Sequence, residues 1–225
     1  EKLRWEQLMR DAGREDDLVI FGGTEPGHHE FNFLSHLVDQ YGQFSGSTEN
    51  ILMVIEEVQE VMNRASGQKQ SKGDEHFWVL ARRELLRNVL DLLIFATGYV
   101  SFEHVTEVIR DAPRSRDEAE SPEWQSRSVI PTLIRKARAN VGDGPSGHDL
   151  QQVENFFRYS FAQLAEKTRS VVETSLLSLL DLFVRGKLHR LFGRHTTVTP
   201  DEIVEQGKVI LIDTPVKSDH GIGLI

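Results

Sequence analysis

Few residues in this chain have the type and spacing to do chemistry, and the clearest candidate is an acid closing an apolar run. Val209-Ile210-Leu211-Ile212-Asp213 has the form of a Walker B strand, which delivers a carboxylate to a nucleotide-bound magnesium ion. Acids also end parallel strands without that role. Thr214-Pro215 stands where a glutamate would polarise a hydrolytic water, so the pattern reads as a structural strand end. The G-x-x-x-x-G-K-S/T loop that cradles phosphates does not occur, because Gly22-Gly23 and Gly42 have no lysine at the required spacing. In His28-His29-Glu30 the adjacent histidines point apart and no second ligand pair follows at i, i+4, so the trio reads as a solvent-exposed loop. Glu56, Glu57 and Glu60 lack the Glu-x-x-His partners of a di-metal bundle and read as a solvated face. No nucleophile-elbow motif is present. On this reading the chain holds no catalytic, cofactor-binding or metal-ligating residue of its own.

Charge gives one further candidate. The 225 residues carry a net charge of −9, which argues against autonomous nucleic-acid binding, since that needs a basic surface. The excess is uneven. Residues 1–63 hold 4 basic and 13 acidic side chains, whereas residues 158–194 hold 7 basic and 3 acidic ones. Arg185, Lys187, Arg190 and Arg194 close that second stretch, with His189 among them. Two readings stand: cations suiting the end of a helix, or a contact for cargo, DNA phosphates or an acidic partner. The absence of cysteine removes disulfides and thiolate chemistry and fits a reducing compartment. No apolar run reaches the eighteen or so residues that cross a bilayer, so a soluble protein is expected.

These residues must be positioned by elements the pattern defines. Leu18-Val19-Ile20-Phe21 and Val209-Ile210-Leu211-Ile212 are continuous apolar runs, the mark of parallel strands covered on both faces. Between them helices dominate. Ser47 caps a helix whose stripe is Ile51, Ile55, Val58 and Met62, with Glu49, Glu56, Glu57 and Glu60 outside it. The next helix, with Phe77, Leu80, Leu85, Leu86, Val89, Leu90, Leu93 and Ile94, leaves only a narrow polar face of Arg83, Arg87 and Asp91. It belongs at the centre of a bundle. Ser101 starts a helix that Pro113 closes; residues 114–120 read as a surface loop; Ser121-Pro122-Glu123 opens another helix that Pro131 breaks or kinks. Residues 148–185 lack glycine and proline and keep helical spacing, either as one helix or with a break near 166–169. Thr199-Pro200-Asp201-Glu202 is a capping box, and Gly207 ends the short helix it opens.

Two strands cannot make a stable sheet covered on both faces, yet these runs are too apolar to be edges in water. The other strands are therefore expected before Glu1 and after Ile225. The fold expected is mostly α, a helical bundle inserted between two parallel strands of an incomplete P-loop α/β sheet. Residues 1–46 then belong to the α/β core, 47–192 to an all-α insertion, and 193–225 to the helix and strand that return to the core.

At these residues the chain resembles the TraG/TraD-like coupling ATPases of type IV secretion, which drive conjugative DNA transfer. In that family a strand leads to a phrase like Phe-Asn-Pro-Leu; here Leu18-Val19-Ile20-Phe21 is followed by Phe31-Asn32-Phe33-Leu34, with Phe33 in place of the proline. Residues 47–192 are similar to the family's all-α domain, most of all 78–93 and 176–192. The phrase from Glu205 to Lys217 is similar to its return strand, which precedes the true Walker B strand. The family's Walker motifs fall on no residue here, so this piece is expected to be inactive alone. For the complete protein the resemblance implies ATP and magnesium, a hexamer, and DNA. It implies relaxosome or protein cargo, the type IV secretion channel, and a place at the cytoplasmic face of the bacterial inner membrane. The all-α domain would serve cargo or relaxosome recognition. Two alternatives are a non-catalytic helical scaffold module and the helical insertion of another DNA-pumping P-loop ATPase.

Overall fold

A computed structural model describes residues 2–22, 28–41, 47–65, 75–142, 144–193 and 195–213. Gly23, Gly42, Arg194, Thr214, Pro215 and residues 216–225 lie outside them.

The two apolar runs form β1 (Leu18–Phe21) and β2 (Val209–Ile212). They are hydrogen-bonded neighbours and run parallel, with Leu18 opposite Val209 and Phe21 opposite Ile212. This is the arrangement a long helical crossover allows, because it returns the chain to the same end of a sheet. The expected cover on both faces is not seen among the described residues. Val19 is buried in a small core with Val198 and Ile203, and Phe21 packs on it. Ile210 and Ile212, by contrast, are 46% and 69% exposed. The histidine loop is also corrected. His29 bridges to Phe21 in parallel, its N–H donating to the Ile20 carbonyl at 2.9 Å. That half-buries His29 and pairs the other edge of β1. At the strand ends Gly22 adopts φ +114°, and a Cβ there would lie 2.4 Å from the Asp213 carbonyl oxygen. Only glycine permits that approach.

The helices are α1 (Lys2–Asp11), α2 (Phe33–Tyr41), α3 (Ser47–Ala65), α4 (Glu75–Thr97), α5 (Phe102–Asp111) and α6 (Arg116–Glu120). They continue as α7 (Pro122–Arg127), α8 (Val129–Val141), α9 (Pro145–Asn155), α10 (Glu166–Leu180), α11 (Gly186–Leu188) and α12 (Pro200–Glu205). Local signals start several of them. The Ser101 hydroxyl accepts from the His104 N–H, Ser121 does the same for Trp124 ahead of Pro122, and Thr199 and Glu202 form a reciprocal capping box.

α4 runs through the middle of the bundle, packed by α3, α5, α8, α9 and α10. From Leu85 to Ala96 it is buried almost throughout, in one core with Ile51, Val105, Ile130, Phe157 and Leu176. Its first turns depart from expectation: Phe77 and Leu80 are 53% and 50% exposed. Trp78 and Ala81 in the same turns pack against the core only in part, so burial becomes nearly continuous from Leu85 onward. Two of the glutamates expected on a solvated face are instead paired across the α3–α4 contact. Arg83 bridges Glu49 and Glu56, and Arg87 also reaches Glu49.

Two further boundaries differ from the sequence reading, and a third decides between two readings it left open. Residues 116–120 form α6 rather than a loop, because the Ser115 hydroxyl accepts from the Glu118 N–H and the Glu118 carboxylate accepts from the Arg114 N–H. Pro131 does not break its helix. The break falls at Ser128, and Pro131 sits in the first turn of α8, where a missing N–H costs nothing. Between α9 and α10 the chain passes through a π-helical turn, Phe156–Phe161, that turns three phenylalanines into the core, then extends at Ala165 before α10 begins. Of the two readings open for residues 148–185, the broken one holds. Among the described residues no single helix is long and apolar enough to cross a membrane.

Candidate functional site

The basic stretch leaves α10 and is anchored by aromatic packing. Phe183 stacks on Phe102 with ring centroids 4.3 Å apart, and Phe33 meets Phe102 edge-on at 5.6 Å and Phe192 at 6.0 Å. Phe102 is the first residue of α5, so this cluster sets residues 183–192 against the start of that helix. Stacked and edge-on pairs of this kind add about 0.5–1.5 kcal/mol each beyond their buried area.

A polar latch lies beside the cluster. His189, at the start of a π-helical turn (His189–Gly193), bonds through Nε2 to Glu103 Oε1. The ring backs onto Gly193, where a Cβ would lie 2.5 Å from His189 Cδ2, so the turn is closed by a glycine for want of room. Glu103 Oε2 is buried with no hydrogen-bond partner among the described residues. Burial pushes the Glu103 carboxyl up, but its own backbone N–H, His189 and the Ser101 hydroxyl together hold it below the ordinary value. A carboxyl depressed in the folded state contributes stability above its unfolded pKa and loses it as pH falls through the folded pKa. Glu103→Gln is therefore expected to lower the melting temperature near neutrality. The difference from the parent chain should shrink between about pH 5 and about pH 3. A difference that stays constant across a pH series of thermal melts would show that the Glu103 charge contributes nothing.

The four cations expected to contact cargo or DNA do not form one free patch. Arg185 lies between α10 and α11 and binds Asp181 through Nε at 2.8 Å and Nη2 at 2.5 Å, an exposed pair. Such a pair adds little to stability and yields readily to a better anion. Lys187 is half-buried in α11, Arg190 is exposed, and Arg194 lies outside the described residues. Arg185 shares a groove with a cation the sequence did not single out, Arg110 of α5, and with Val129 and Val184. The rest of the charged α5 lining is acidic: Glu103, Glu107 and Asp111 recur every four residues on that helix. That spacing was legible in the sequence, but not that it would meet the basic stretch. The groove thus presents two guanidinium groups beside a carboxylate row, a mixed surface suited to a protein segment carrying both signs.

Among the described residues no three His, Cys, Asp or Glu side chains lie close enough to hold a metal ion. Asp213 follows β2, and its N–H donates to the Phe21 carbonyl at 2.5 Å, tying the ends of the two strands together. His28 and His29 bond to Lys2 and Thr197 respectively. Burial, with His28 and Lys208 adding, lowers the His29 pKa. Asn32 is buried, donates through Nδ2 to the Val100 carbonyl at 3.1 Å, and accepts from the Ser35 N–H at the start of α2. It fastens α2 to the corner between α4 and α5. In comparisons with known proteins, the chain matches no family model, no curated protein and no solved structure.

Proposed function

We propose that this chain is the all-α domain of a TraG/TraD-like coupling ATPase of type IV secretion, with the two strands between which that domain is inserted. One observation carries the reading. β1 and β2 are parallel neighbours although nearly the whole helical bundle lies between them in sequence. A bundle spliced between adjacent strands of a larger α/β sheet has that geometry. Ile210 and Ile212, exposed on β2, are then the residues that further helices and strands of the ATPase core cover. Phe33 takes the first position of α2, with Asn32 capping it. A proline fits that position because its N–H is not needed there, so the departure from the family phrase leaves the conformation unchanged.

In this reading ATP and magnesium bind residues outside the chain. The helical domain serves recognition of relaxosome or protein cargo, in a hexamer at the cytoplasmic face of the inner membrane that feeds the secretion channel. The groove shared by Arg110 and Arg185 is the recognition surface. Replacing Arg185, Lys187, Arg190 and Arg194 together by Gln in the complete protein is expected to abolish conjugative transfer while ATP hydrolysis persists. A mating assay beside a phosphate-release assay checks both. Unchanged transfer would leave these cations only a helix-end role. The alternative, a helical scaffold whose strand pair docks on a partner, uses the same exposed Ile210 and Ile212. It differs in one observable: the complete gene would lack a G-x-x-x-x-G-K-S/T loop upstream and an apolar strand ending Asp-Glu downstream.

A further inference from the structure

The chain passes between the strand pair and the helical bundle twice, once before α2 and once after the π-helical turn His189–Gly193. The hydrophobic cores on the two sides are separate: Val19, Val198 and Ile203 form one, and the cluster around α4 forms the other. The two crossings, residues 29–32 and 195–198, run side by side in opposite directions and are bonded to each other along their length. The Thr197 N–H donates to the Glu30 carbonyl at 2.9 Å, and the Thr197 hydroxyl accepts from the Glu30 N–H at 3.0 Å. The same hydroxyl donates to the Glu30 carbonyl at 3.2 Å and lies 3.0 Å from His29 Nδ1. One residue earlier, the Thr196 hydroxyl accepts from the Asn32 N–H at 3.2 Å.

Both ends of this ladder are fastened. Toward the strands, the His29 N–H donates to the Ile20 carbonyl at 2.9 Å, and Val198 is buried in the small core. Toward the bundle, the Phe31 N–H donates to the Leu191 carbonyl at 2.7 Å, and Asn32 holds the Val100 carbonyl at 3.1 Å. Two unlinked crossings would act as a hinge, since a few connecting residues absorb the φ/ψ change of a domain movement. Bonds between the crossings remove that freedom. Thr196 and Thr197 are exposed, where water would satisfy their hydroxyls as well. Their bonds therefore rescue no buried group; they fix the position of one crossing against the other.

We propose that residues 29–32 and 195–198 form a joint, closed by the Thr196 and Thr197 hydroxyls, that makes the strand pair and the helical bundle move as one body. A displacement of β1 and β2 is then carried into α2 and the π-helical turn instead of being lost in two loose connections. The joint is separate from the Arg185 groove and stands whether or not the chain belongs to a secretion ATPase.

The test is a measurement of residual dipolar couplings by nuclear magnetic resonance on the isotope-labelled chain. In the parent, amides of β1, β2 and α12 fit the same alignment tensor as those of α4, α5 and α8. Replacing both threonines by valine (Thr196→Val with Thr197→Val) keeps side-chain shape and removes both hydroxyls. In that variant the two sets of amides fit separate tensors. The Glu30 and Asn32 amides, deprived of their acceptors, exchange with solvent about tenfold faster. The matching serine variant, Thr196→Ser with Thr197→Ser, keeps the hydroxyls and returns to a single tensor. Two tensors in the parent would show that the units are already loose, and that measurement needs no variant. One tensor in the valine variant, or two in the serine variant, would show that the hydroxyls do not close the joint. Any of these three results overturns the proposal.

Discussion

Leu86→Asp abolishes cooperative unfolding and most of the helical signal of the chain, whereas Leu80→Asp, earlier on the same helix, leaves both nearly intact. Leu86 is 4% exposed within the central core and Leu80 is 50% exposed. A carboxylate at Leu86 would have no partner and no water. It must either stay charged at a cost of several kcal/mol or bind a proton at a smaller but still large cost. The leucine's own burial, worth about 1.5–3 kcal/mol, is lost as well. Against a total stability of roughly 5–15 kcal/mol, that sum removes most of the margin. At Leu80 the charge remains in solvent, and the change falls among surface substitutions that stay within about 0.5 kcal/mol. Far-ultraviolet circular dichroism with thermal melts reads both variants. A cooperative native-like melt for Leu86→Asp would mean that α4 is not the central element.

Gly22→Ala is expected to open the strand pair and spare the bundle. The residue sits at φ +114°, where a side chain costs about 1–3 kcal/mol of backbone strain, and its Cβ would lie 2.4 Å from the Asp213 carbonyl oxygen. No rotamer relieves that contact, because the Cβ position is fixed by the Gly22 backbone and its neighbour is a backbone carbonyl. The chain must separate the ends of β1 and β2, losing the hydrogen bond from the Asp213 N–H to the Phe21 carbonyl. The small core of Val19, Val198 and Ile203 is distinct from the helical core, so loss of one need not melt the other. Amide hydrogen exchange makes the distinction. The Asp213 amide and those of the two strands should exchange much faster in Gly22→Ala, while amides of α4 from Leu85 onward keep their protection. Unchanged exchange at Asp213 would show that the close approach does not hold the strands together. Read with Leu86→Asp, the result tells whether helices and strand pair unfold as separate units.

The strand pair shows how far local pattern reaches. Continuous apolar runs at 18–21 and 209–212 identify β1 and β2, and the helical length between them allows the parallel pairing that the runs' two-sided apolar character favours. What the runs could not convey is that the cover is one-sided among the described residues. Alternation within a strand records its faces, whereas the exposure of Ile210 and Ile212 depends on which other elements arrive. Helix starts were equally legible, because a cap is a bond between residues three apart: Ser101 with His104, Ser121 with Trp124, Thr199 with Glu202. The same chemistry at Ser115 and Glu118 opens a helix whose sequence carries no apolar stripe, so its pattern is that of a charged surface segment.

The sequence alone determined the helical class of this protein, its two strands and their direction, its central helix, and the concentration of cations after residue 184. All of these rest on interactions spanning one to four residues or on the composition of a single segment. Only the tertiary structure decided where along α4 burial begins and that the chain turns at Phe156–Phe161. It also decided that Arg110 and the α5 carboxylates share a groove with Arg185, and that His189 bonds to Glu103. The joint that pairs Glu30 with Thr197 belongs to the same group. These features join residues far apart in the chain, and no spacing encodes such a meeting. They follow from how helices cross and which neighbour reaches which turn, and that is settled by packing the whole core at once.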